Sequence, residues 1–156
     1  MTGQDEGLHY RTATIDDLEE VVAANIAMAK ETEDIDLPHD TVVKGVKAVL
    51  SGETHATYFL LEQGGSIKAQ LMITYEWSDW RAAVVWWIQS VYVKPQHRKQ
   101  GHFKALYNHV RDEAHKAGAA GLRLYADAAN TRAHATYEKL GMSSHYKCYE
   151  DMFTDY

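Results

Sequence analysis

The run from Ala83 to Val93 constrains this chain more than any other, because it is almost continuously apolar and is rich in β-branched and aromatic residues. A strand of that kind is buried on both faces, so the fold must place layers on either side of a sheet. The run stops at Pro95. A basic loop with one glycine follows, and the sequence re-emerges as a helix with Phe103, Leu106, Tyr107, Val110 and Ala114 at helical spacing. The first N–H groups of such a helix have no internal partner, and its dipole favours an anion there. A basic, glycine-containing loop opening a helix therefore fits a phosphate-bearing ligand.

Charge agrees with a compact polyanion. The formal net charge is −6, which disfavours a general nucleic-acid surface. Yet Lys94, Arg98, Lys99 and Lys104 cluster without an intervening acid. With 156 residues, 46% of them hydrophobic, one domain spanning 1–156 is expected. The polar start and the absence of a long apolar stretch predict a cytoplasmic protein without a membrane partner. The nine histidines include no pair three or four apart, so no metal site is expected. Cys148, the only cysteine, reads as a packed strand residue rather than a reactive thiol.

In chain order, a strand is expected over His9 to Ala13, and then a capping box at Thr14–Asp17 that opens a helix with Leu18, Val21, Val22, Ile26 and Ala29 on its apolar face. An acidic connection, Glu31 to Asp36, leads to a helix beginning near Pro38 and ending at Ser51-Gly52. Strands are predicted from Thr57 to Leu61 and from Ile67 to Tyr75, joined by a turn at Gln63–Ser66. A second reversal is expected around Trp77–Trp80, before the long strand. After the basic loop and its helix come a strand at Leu122–Ala126, a short helix from Asn130 to Leu140, and a final strand from Ser143 to Met152. The order gives an α/β (α+β) domain with a mixed, mostly antiparallel sheet and helices on both faces.

Two stretches make the chain resemble the GCN5-related N-acetyltransferase (GNAT) superfamily. One is Val93-Lys94-Pro95 followed by Arg98-Lys99-Gln100-Gly101 and a helix. The other is Asn130-Thr131-Arg132-Ala133 with Tyr137 and Leu140-Gly141-Met142. The resemblance implies a splayed central strand pair and the transfer of acetyl from acetyl coenzyme A directly to an amine. It implies that backbone N–H groups of Arg98, Lys99, Gln100, Gly101, His102, Phe103 and Lys104 hold the pyrophosphate. Val91, Tyr92 and Val93 would hold the pantetheine arm as an added strand, with an N–H facing the thioester oxygen. Asn130 and Ala133 would contact the arm, and Tyr137 would protonate the departing thiolate. Read without the resemblance, Ala133, Tyr137 and Leu140 are one apolar helix face, and Asn130 is an N-cap.

The attacking amine must lose a proton, and Glu76, at the end of a strand beside the long one, is the candidate base; Asp79 and His145 are weaker ones. The resemblance places acceptor selection in the loop between the first two helices and in the last strands. Glu31, Glu33, Asp34 and Asp36 there, with Trp77, Trp80, Trp86 and Trp87, suit a small cationic amine. Equally, they read as a solvated acidic loop and core tryptophans. Two departures stand out: Phe103 occupies a position where the family has glycine or alanine, and the tail after Gly141 leaves little room for a last hairpin, so Met142 to Tyr149 is expected as one bent strand. Alternatives are a protein or peptide N-acetyltransferase, or a non-catalytic acyl-CoA-binding regulatory module. A homodimer is compatible with each.

Overall fold

The computed structural model describes residues 7–156, which divide into two compact units, 7–123 and 124–156. The first unit holds a five-stranded sheet, β1 (His9–Thr12), β2 (Ala56–Gln63), β3 (Ser66–Ser78), β4 (Ala83–Val93) and β5 (Gly121–Arg123), in the order β1-β2-β3-β4-β5. Neighbours are antiparallel except β4 and β5. That parallel pair follows from its connection, because α3 (His102–Lys116) carries the chain back between the two strands. The tight turn between β2 and β3 uses Gly64 and Gly65 at φ 63° and 73°, the conformation that a two-residue hairpin requires.

Helices α1 (Leu18–Glu33) and α2 (His39–Leu50) lie between β1 and β2 in sequence. The expected capping box is present: the Thr14 N–H donates to Asp17 Oδ2 at 2.7 Å, and the Asp17 N–H returns to the Thr14 carbonyl. Alternation along the strands separates two cores. Tyr58, Leu60 and Ile67 pack with Val21, Val22 and Val46 of α1 and α2. Phe59, Leu61, Leu71, Ile73, Trp86 and Ile88, all buried, fall on the opposite face, where α3 contacts β2 to β5. Helices therefore cover both faces. Fully buried leucines such as Leu60, Leu61, Leu71 and Leu106 each contribute roughly 1.5–3 kcal/mol of transfer free energy.

The second unit contains α4 (Thr131–Lys139), capped by Asn130, whose Oδ1 accepts from the Ala133 N–H at 3.1 Å. Gly141, at φ 90°, ends the helix as expected.

Several boundaries differ from expectation. Helix α1 absorbs Glu31 to Glu33 and stops at Asp34, which takes the left-handed conformation at φ 54°. The β3–β4 reversal falls at Asp79–Ala82, so Trp77 is a strand residue. Strand β5 ends at Arg123 instead of Ala126. The final strand expected over Ser143–Met152 does not form: residues 143–156 have no regular secondary structure and all are exposed. A strand exists only against a partner, and residue types alone cannot supply one. Cys148, expected to pack, is exposed for the same reason. Among the described residues no helix is long and apolar enough to cross a membrane, and no three His, Cys, Asp or Glu side chains gather to hold a metal.

Candidate active site

The distinctive backbone feature lies on β4. Gln70 pairs with Tyr92 and Met72 with Gln89, so Leu71 alone opposes Ser90 and Val91. This is a β-bulge, and Ser90 adopts φ 51° within it. On the other side, β5 pairs only with Val85, Trp86 and Trp87, so β4 from Ile88 to Val93 has no β5 partner. Bulge and parting coincide, which leaves backbone groups of β4 pointing into the space beside it.

A buried polar network fixes the bulge. Gln70 Nε2 donates to Asn25 Oδ1 at 2.9 Å and to the Ser90 carbonyl at 3.3 Å, and Asn25 Nδ2 donates to Tyr58 Oη at 3.0 Å. Burial raises the Tyr58 phenol above its ordinary range, and hydrogen bonds to Asn25 and Ser90 oppose that rise. Asn25 and Gln70 were not among the residues expected from sequence. For Asn25 the available signal was a polar side chain on the apolar face of α1; Gln70, alternating with Lys68 and Thr74 along β3, carried none.

Beyond Val93 the chain turns through Pro95–His97 into a loop where Lys99 and Gly101 are left-handed, at φ 61° and 80°. Left-handed residues before a helix aim successive N–H groups into a concavity suited to an anion. A Cβ on Gly101 would meet no atom of the described residues within 4 Å. The Phe103 ring, half-buried, lies 6.1 Å from the Tyr107 ring one turn along α3. The loop's side chains are less free. Arg98 Nη2 meets Glu31 Oε2 at 2.6 Å while its Nε donates to the Val93 carbonyl, and Lys94 pairs with Glu20. His102 is buried, and its Nε2 has no partner.

On the α1–α2 face of β3, β4 and β5, a polar row runs across the sheet. Gln89 Nε2 donates to Thr74 Oγ1 at 2.7 Å; Trp87 Nε1 donates to Glu76 Oε2 at 2.8 Å; Arg123 Nη1 reaches Glu76 Oε1 at 2.7 Å. Both Glu76 oxygens are thus held, each with further acceptor capacity.

The model of the Acetyltransferase (GNAT) family matches residues 21–142. The chain belongs to the GNAT acetyltransferase family. A possible acetyltransferase from Clostridium difficile 630 is 40% identical, with a TM-score of 0.87, over 95% of this chain and 99% of that one. Two more distant structures show the shared fold: a predicted acetyltransferase with acetyl-CoA from Clostridium acetobutylicum, at 16% identity, TM-score 0.75 and coverage of 94% and 96%, and a ribosomal-protein-alanine N-acetyltransferase from Brucella melitensis biovar Abortus 2308, at 16%, 0.77 and coverage of 95% and 100%. No curated protein matches the sequence. The protein is an N-acetyltransferase, and acetyl-CoA is its family's acetyl donor.

The GNAT residues singled out in the sequence divide accordingly. Val91, Tyr92 and Val93 lie half-buried on the parted end of β4, and Arg98 to Lys104 form the loop and first turn of α3. The acceptor set is dispersed. Glu31 is turned to Arg98, with Tyr92 Oη donating to it at 3.4 Å, and Asp34 pairs with Lys30 at 2.8 Å, leaving Glu33 exposed. Trp86 is 9% exposed and packs 6.1 Å from Phe59 and 5.5 Å from Tyr75 on the α3 face. Trp87, one residue on, is the tryptophan facing Glu76, since neighbouring strand residues point to opposite faces. By the same alternation Trp77, 64% exposed, belongs to the α3 side. In the second unit Tyr137 is half-buried on α4, and burial raises its phenol above the ordinary range.

Proposed function

We propose that the protein transfers acetyl directly from acetyl-CoA to the primary amine of a small cationic acceptor. The bulge at Ser90–Val91, on a strand half that has no β5 partner and runs into the left-handed loop, carries this reading. The extended pantetheine arm pairs with Val91, Tyr92 and Val93 as an added strand, and the pyrophosphate seats on N–H groups over Gly101. Arg98, held by Glu31, shapes the loop rather than gripping phosphate with its guanidinium.

The acceptor nitrogen attacks the thioester carbonyl carbon, and the C=O pair moves to oxygen, where a β4 N–H stabilises the developing charge more than it does the ground state. Collapse breaks the C–S bond and the thiolate takes a proton from Tyr137 Oη. A raised phenol stays protonated at neutral pH, as an acid must. The proton lost by the ammonium passes to Glu76, whose remaining lone pairs are fixed in direction by Trp87 and Arg123. Asn130, whose Oδ1 is used by its own helix, offers its NH2 group to the arm beside Ala133.

Preference for a cation rests on the α1–α2 connection. Among the described residues, Glu31, Glu33, Asp34 and Asp36 have Lys30 and Arg98 as ion-pair partners, so negative charge remains in excess there. Thiol release from acetyl-CoA across polyamines, aminated compounds and neutral amino acids tests this. The reading requires faster release with the cations and a large loss in Tyr137→Phe. Release no faster than with neutral amino acids removes the cationic acceptor, and binding without release from any amine replaces the enzyme with a binding module.

A further inference from the structure

We infer that Gln89, oriented by Thr74, selects primary amines: its Oε1 accepts one N–H of the attacking nitrogen and keeps that hydrogen through the transfer. Gln89 is the only side-chain amide in β4. It stands directly before the Ser90–Val91 bulge and on the α1–α2 face, because its Cα partner Met72 packs there against the core. An amide on a largely apolar strand costs free energy unless both of its ends are satisfied. One end is satisfied, since Nε2 donates to Thr74 Oγ1 at 2.7 Å. The other end, Oε1, accepts from none of the described residues, and it is not shut off from solvent. A half-buried acceptor of fixed direction is thus left for a ligand.

Register sets this acceptor beside Glu76. Trp87 is the Cα partner of Thr74 and reaches diagonally to Glu76, while Gln89, the partner of Met72, reaches diagonally to Thr74. Thr74 and Glu76 stand two residues apart on one face of β3, so the anchor points of amide and carboxylate lie about 7 Å apart along the strand. The amide is the nearer of the two to the bulge. The inference rests on the acceptor reading above, in which Glu76 takes the proton, and a count of hydrogens then separates two kinds of amine. A neutral primary amine brings two N–H bonds. As its lone pair forms the C–N bond, one hydrogen passes to Glu76, and the other stays on Gln89 Oε1 and becomes the N–H of the product amide. A secondary amine brings one N–H. Once Glu76 takes it, Oε1 has no donor, so the secondary amine forfeits this hydrogen bond in the transition state. Thr74 is a positioning residue, because an amide released from it can turn over and present NH2, a donor, to the nitrogen.

Thiol release from acetyl-CoA with a linear diaminoalkane, and with its N,N′-dimethyl derivative of the same charge, tests this. In the wild type kcat/KM should favour the primary amine. Gln89→Met keeps the length of the side chain and removes the acceptor. It should reduce that preference roughly three- to tenfold, the loss of one neutral hydrogen bond, by slowing the primary amine alone. Thr74→Val should reduce the preference too, although Gln89 keeps its size, and Thr74→Ser should restore it. Circular dichroism and acetyl-CoA affinity check that the variants are folded; should Gln89→Met fail that check, the two Thr74 variants decide. A preference unchanged in Gln89→Met or in Thr74→Val overturns the inference while the acceptor reading stands. So does a Gln89→Met variant that gains rate with the dimethyl compound, which would make Gln89 a steric gate. Release from neither compound in the wild type removes the acceptor reading, and this inference with it.

Discussion

Arg98 and Glu31 form a 2.6 Å ion pair that ties the loop after β4 to the last turn of α1. Glu31, expected to face a cationic acceptor, is thereby turned to a guanidinium of the same chain. The side chains are 35% and 38% exposed, so the pair contributes only about 0.2–1 kcal/mol to stability.

Glu31→Gln should therefore leave the melting temperature nearly unchanged while releasing Arg98 toward the phosphates. The expected result is a KM for acetyl-CoA lowered about two- to fivefold at low salt, with the gain fading as ionic strength rises. Initial rates at several salt concentrations check this. A KM that is unchanged at every salt concentration would restrict the pair to shaping the loop.

Glu76 makes a sharper case. Gln at position 76 keeps the size of the side chain but cannot take the ammonium proton, so Glu76→Gln should lower kcat by about 10²-fold. The loss should shrink as the pH approaches the amine's own pKa of ~10, where the acceptor arrives deprotonated. Arg123→Met, by contrast, removes the partner at 2.7 Å and should disturb acceptor KM more than kcat. A Glu76→Gln loss independent of pH would assign the carboxylate to positioning alone.

The bulge network predicts a coupled loss. Asn25→Leu leaves Gln70 Nε2 without its acceptor at 2.9 Å and Tyr58 Oη without its donor at 3.0 Å, inside the core. Each group left unsatisfied costs about 1–3 kcal/mol. The melting temperature should fall by several degrees, and acetyl-CoA affinity should fall with it because Gln70, which donates to the Ser90 carbonyl, loses the Asn25 anchor that orients it. Tyr58→Phe, which removes the other end of the chain of bonds, should be less than additive with Asn25→Leu in a double-mutant cycle.

These residues also show what the sequence could convey. Ala83–Val93 was legible to its ends because its β-branched and aromatic run favours a strand, although only Val85, Trp86 and Ile88 are fully buried and the rest is half-buried, and the helix at Leu106, Tyr107 and Val110 was legible by period. The bulge was not, because it depends on which residue of β3 faces Ser90, and register is a property of two strands. The same limit separates Trp86 from Trp87: both are apolar in a buried run, and only the pleat decides which meets Glu76. Motif residues such as Arg98 mark the loop between β4 and α3, but the pairing of Arg98 with Glu31 joins positions far apart in sequence. The tail failed for a related reason, since Ser143–Met152 has the residue types of a strand, and residue types alone do not make one.

His102 supplies a prediction in acid. Burial, and then the charge of Lys68, hold its imidazole below the ordinary 6.5, so the folded protein keeps it neutral. Half-buried His97, whose ring lies 6.3 Å away, is lowered by the same two causes in the same order. In the unfolded chain both titrate near 6.5. As the pH falls through that value the unfolded state takes up protons that the folded state refuses, so stability is lost until the folded groups also titrate; above it the two states bind protons alike and these groups add no slope. His102→Leu removes the titration and also the buried Nε2 that has no partner. Urea midpoints should show the variant at least as stable as the wild type near neutrality, with a margin that widens below pH 6.5. Equal margins at both pH values would mean that burial of this ring does not govern the acid limb.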